Sequence, residues 1–95
     1  MATSKISQMD RYTTKQFTSA SLSLAGGARG SVTVDATLSG YTPIGVLSVY
    51  TNDTEVFSLQ RYGIVSANTA GATFQNVFSD PRQSTVTFVV LYRKN

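Results

Sequence analysis

The stretch Thr85-Val86-Thr87-Phe88-Val89-Val90-Leu91-Tyr92 decides the fold class. Side chains alternate faces along a strand. Its even positions, Val86, Phe88, Val90 and Tyr92, are all apolar and make one buried face. Its odd positions begin polar at Thr85 and Thr87 and turn apolar at Val89 and Leu91. An antiparallel sheet ordinarily leaves one face wet. Val89 and Leu91 therefore need a cover, either a second sheet of the same chain or another copy of the protein.

The same β signal extends back toward residue 15. Phe17 to Leu24 alternates Ala20, Leu22 and Leu24 with serines 19, 21 and 23. Gly26-Gly27-Ala28-Arg29-Gly30 follows, then Ser31 to Leu38 with Val32, Val34, Ala36 and Leu38 on one face. Two alternating runs around a glycine turn predict a hairpin. Ile44 to Tyr50 carries apolar residues on both parities and reads as a central strand. Glu55 to Ser66 is a longer strand, Ala72 to Phe78 another, and polar turns separate them. The expectation is an all-β, antiparallel β-sandwich of about six strands over residues 15–95.

Residues 1–14 differ. Ile6, Met9 and Thr13 share helical spacing, but one or two turns carry too little apolar surface to fold alone. The segment is either a frayed terminus or an arm or short helix that docks on a partner through Ile6, Met9 and Tyr12.

Composition removes several function classes. The chain has 95 residues, no cysteine and no histidine, so thiol chemistry, Cys-based zinc sites and the commonest general base are absent. Asp53 and Glu55 are the only close pair of acids, and a turn-capping Asp beside a solvated Glu accounts for them better than a glycosidase pair. No catalytic, metal or cofactor site is expected, and the protein reads as a non-enzyme. No apolar run is long enough to span a membrane, and no secretion signal follows Met1. A net charge of +3 is spread over scattered Lys and Arg residues, with no phosphate-tracking stripe. A single-stranded nucleic-acid barrel would place aromatics between cations on one face, and inside the sheet only Arg61-Tyr62 fits, so nucleic acid is the minor reading.

Two segments carry a resemblance. Gly40-Tyr41-Thr42-Pro43-Ile44-Gly45-Val46, followed some forty residues on by the terminal Thr-Val-Thr-x-x-Val-Leu-Tyr strand, resembles the small β-sandwich head or tip domains of tail-fibre and receptor-binding proteins of tailed bacteriophages. The likeness covers residues 15–95 and rests on structural positions. It implies a homotrimer on the virion surface, made in the bacterial cytoplasm, released by lysis and used for attachment to the host cell surface. Its partners would be itself, other virion proteins and a host glycan or protein. The alternative is a capsid or tail decoration protein docked through residues 1–14. The expected trimer seam is Leu47, Val49, Val89 and Leu91. Polar turns on a rigid sandwich are where binding ordinarily sits, which nominates Thr51, Asn52, Asp53, Thr54, Asn68, Thr69, Asp80 and Arg82 as ligand-binding loop residues.

Overall fold

Strand β8 (Val86–Lys94) runs down the middle of a three-stranded antiparallel sheet, between β1 (Tyr12–Thr18) and β4 (Tyr41–Thr51). The computed structural model describes residues 11–53 and 57–95. A second three-stranded antiparallel sheet places β6 (Thr69–Asn76) between β3 (Arg29–Asp35) and β5 (Phe57–Ser66), and a short ribbon pairs β2 (Leu22–Leu24) with β7 (Arg82–Ser84). The described residues are thus all-β and antiparallel, with eight strands in three sheets and no helix. The count exceeds the expected six because two of the strands are three-residue pieces.

The two larger sheets meet face to face in a sandwich-like core. The even face of β8 is sealed completely: Val86, Phe88, Val90 and Tyr92 are each 0 % exposed. Ala70, Ala72 and Phe74 of β6 supply the opposing surface, with Leu24, Ala36 and Phe57 closing the ends. Burying each large apolar side chain contributes about 1.5–3 kcal/mol, so these two central strands dominate the stability of the sandwich.

Several local expectations are corrected. The run Phe17–Leu24 is not one strand. Ser19 is buried, and its hydroxyl accepts a bond from the Val86 amide (3.1 Å) while donating to the Ala20 carbonyl (2.7 Å). The Ser19 amide still donates to the Val86 carbonyl (2.8 Å), so the hydroxyl replaces only the return bond from Val86 where β1 ends. The glycine turn does not close a hairpin either, because β2 pairs with β7 and β3 with β6. The backbone of the turn is engaged elsewhere: the Gly27 amide donates to the Asn76 carbonyl, and the Asn76 amide donates to the Ala28 carbonyl. Strand β3 stops at Asp35, short of Leu38, because the Asp35 carboxylate accepts both the amide (3.0 Å) and the hydroxyl (2.6 Å) of Thr37. Those bonds hold the carboxyl below its ordinary pKa, the hydroxyl contributing most and the amide next. Strand β6 begins at Thr69 instead of Ala72, and Phe78 falls beyond it, exposed.

The largest correction concerns β4. It is an edge strand, and two register shifts against β8 leave Ile44 and Leu47 as extra residues, between Pro43 and Gly45 and between Val46 and Ser48. A bulge sets two residues of one strand against one of its partner. Two bulges three residues apart change the period of the strand. Pro43, Val46 and Val49 are the residues whose partners, Tyr92, Val90 and Phe88, face the core. Ile44, Leu47 and Tyr50 are left on the outside. Apolar residues on both parities reflect the bulges, not burial on two sides.

Candidate functional site

The outer face of the β1-β8-β4 sheet is apolar along one side. Ile44, Leu47 and Tyr50 are 43 %, 56 % and 45 % exposed, and Tyr12 on β1 is 48 % exposed. Val89 and Leu91 lie between these edges and are half-buried. They stay partly open because their cross-strand neighbours are short or polar: Gln16 and Ser48 beside Val89, Thr14 and Gly45 beside Leu91. Of the expected seam residues, Leu47, Val89 and Leu91 share this face. Val49 does not, since it is paired with Phe88 and packs against the core. Tyr12 is the first residue of β1, not part of a separate arm. Ile6 and Met9 lie outside the described residues.

The edges of this sheet are guarded. Lys15 alternates with Thr14 and Gln16 and points to the core side of β1, its Nζ lying 5.6 Å from the Phe17 ring centre. An inward lysine on an edge strand opposes strand addition, and so do the bulges on β4. Both edges of this sheet thus resist the addition of a further strand.

The candidate recognition loops divide between two ends of the molecule. Strand β6 runs from Thr69, paired with Ser66, to Asn76, paired with Phe57. Asn68 and Thr69 thus sit at one end, and Thr51–Asp53 at the other, roughly 20 Å away by strand rise. Asp80 and Arg82 share the second end through Asn76, whose amide donates to the Asp80 carbonyl (2.9 Å). Thr54 lies outside the described residues. Much of the polarity of these loops is spent internally. The Asn52 amide donates to Thr85 Oγ1 and its oxygen accepts from Thr87 Oγ1, both at 2.9 Å. Asp80 pairs with Arg82 at 3.3 Å, and the Arg82 guanidinium lies 4.1 Å from the Phe78 ring centre. Fully buried Asn76 also donates to the Leu24 carbonyl (3.1 Å) and accepts from the Phe78 amide (2.9 Å), which fixes the 77–82 loop to the core.

A third feature escaped the sequence reading. The outer face of the β3-β6-β5 sheet carries a depression of about 450 Å³. Its floor is a row of two glycines, because Gly63 pairs with Gly71 and Gly71 with Thr33. No atom stands within 4 Å of where a Gly63 Cβ would project, whereas Val65 and Thr33 lean over Gly71. The next row is Ser31, Thr73 and Arg61. The Ser31 and Thr73 hydroxyls bond each other at 2.8 Å. The available signal was the pair of glycines placed either side of the Ala67-Asn68 turn; the bulges in β5 concealed their register.

Among the described residues, no three acidic, histidine or cysteine side chains come together to hold a metal ion. No protein-family model, curated protein or solved structure matches this chain.

Proposed function

We propose that this chain is a surface protein of a bacteriophage particle, a homotrimer that uses its sandwich to attach the particle to the host cell. The single observation that carries the self-association is the apolar outer face of the β1-β8-β4 sheet. Ile44 and Leu47 are placed there by bulges, and Val89 and Leu91 lie between the guarded edges. Exposed apolar surface gathered on one face marks a site of protein contact. In a threefold ring the same face of every copy can turn toward the axis and be covered by its two neighbours. Attachment to the host is the function of the domains that the Gly-Tyr-Thr-Pro-Ile-Gly entry and the terminal strand resemble.

Multi-angle light scattering on the full chain tests the assembly. The expected mass is three times that of the 10.2 kDa chain, falling toward one in Leu47→Asp. Monomer at high concentration would sink the trimer. Blocking of particle adsorption by free protein tests attachment. Deletion of residues 1–10 separates attachment from a decoration role, since a trimer that no longer enters particles would dock through that segment.

A further inference from the structure

The depression on the outer face of the β3-β6-β5 sheet combines a mostly apolar lining with one cation, Arg61, and the hydroxyls of Ser31, Thr33 and Thr73. Its volume of about 450 Å³ falls within the ~300–1,000 Å³ usual for small-ligand sites. Arg61 is the one charged residue that lines it. Among the described residues Arg61 has no ion-pair partner, the sole ion pair being Asp80 with Arg82. Among the described residues, the nearest acid in the register of this face is Asp35, two strands and four residues away. Strand spacing and rise put that at roughly 16 Å, beyond the ~8 Å screening length of physiological salt. Asp35 is in any case committed to Thr37. Among the described residues the positive charge at the depression is therefore uncompensated, and Arg29 lies one row further along the same face.

The remaining lining suits a sugar. The Ser31–Thr73 bond uses one hydroxyl hydrogen, so the pair still offers a donor and lone pairs to a ligand. Open space over Gly63 lets a ring approach the backbone there, and Val65, which covers Gly71, supplies an apolar wall for ring C–H groups. Arginine's planar fork matches a carboxylate or phosphate in two parallel bonds. A nucleic-acid strand would need a row of cations following its phosphates and stacked aromatics; this face has two arginines and Asp35.

We propose that this depression binds an anionic sugar unit, with Arg61 on its carboxylate or phosphate and the Ser31–Thr73 pair on its hydroxyls. The proposal rests on the host-attachment reading only for its biological role. It places recognition on a sheet face turned away from the apolar self-association face, and not on the loops at the two ends.

The test is a titration of the isotopically labelled full chain, following backbone amide shifts by NMR. The probes are glucuronate, glucose 6-phosphate and glucose. Saturable shifts at Arg61, Gly63, Gly71 and Thr73 with either anionic sugar, and tighter binding than glucose, are expected. Which anionic probe binds tighter distinguishes carboxylate from phosphate. Arg61→Gln, an exposed change whose own spectrum reports its folding, should weaken binding by about tenfold or more, the loss of a charge-assisted bond. Three results would overturn the proposal: no saturable shifts at these amides with either anionic sugar, glucose binding as tightly, or an unchanged affinity in Arg61→Gln. Failure of the titration with adsorption still blocked by free protein removes this site and leaves host attachment standing. Sugar binding without any block of adsorption does the reverse.

Discussion

The Tyr92 hydroxyl donates a 2.7 Å hydrogen bond to the carbonyl of Ala36, and both residues are fully buried. The bond joins the central strand of one sheet to the end of β3 in the other. Burial raises the Tyr92 pKa above its ordinary value, and the Asp35 carboxylate adds to the rise. The fold therefore prefers the neutral phenol. Its contribution is complete below about pH 10, the ordinary tyrosine value, and is lost as pH rises through the higher folded value. Tyr92→Phe should cost about 1–3 kcal/mol at neutral pH by leaving a buried carbonyl unpaired. The gap between wild type and variant should narrow above about pH 10. Urea unfolding across that range measures both effects, and a constant gap would exclude the titration.

Asn76 should be the most sensitive polar residue of the core. Its side chain makes three hydrogen bonds, to Leu24, Asp80 and Phe78. Asn76→Ala should destabilise the domain by more than about 2 kcal/mol and speed amide exchange in the 77–82 loop. Intact protection there would show that the loop is held by other contacts.

The bulges in β4 make opposite predictions for near neighbours. Leu47→Asp should leave the monomer's unfolding free energy within about 0.5 kcal/mol of wild type while abolishing self-association. Val49→Asp should unfold the protein, because it puts a charge into the core against Phe88. Equal effects of the two changes on thermal stability would contradict the register.

Gly71 is constrained by its neighbours. An added Cβ would sit 3.1 Å from Val65 Cγ1 and 3.3 Å from Thr33 Cγ2. Gly71→Ala should cost about 1–3 kcal/mol, and Val65→Ala in the same chain should return part of it. Additive effects in that double-mutant cycle would mean that the two side chains do not meet.

The central strand was legible because its pattern is strong. Val86, Phe88, Val90 and Tyr92 alternate without exception, and all four are sealed in the core. Strand β4 was misread because alternation presumes an unbroken register. Ile44 and Leu47 each add a residue that one chain alone does not reveal, and only pairing with β8 shows it. The glycine turn after Leu24 was misread for a related reason. A tight turn predicts that its flanks pair with each other, but here Asn76 takes the turn's backbone bonds from across the molecule. The depression at Gly63 and Gly71 needs two bulged registers to be correct at once, so composition alone could not expose it.

By itself the sequence determined that this protein is built of antiparallel strands, with Val86, Phe88, Val90 and Tyr92 as its core, because two-residue alternation is a local property of the chain. Tertiary pairing decided which strands are central and which are edges. It also decided which apolar residues of β4 face outward, and that Arg61, Ser31 and Thr73 share one row. Those outcomes depend on bulges and on partners distant in the chain, and a shift of one residue in register moves every side chain beyond it to the other face.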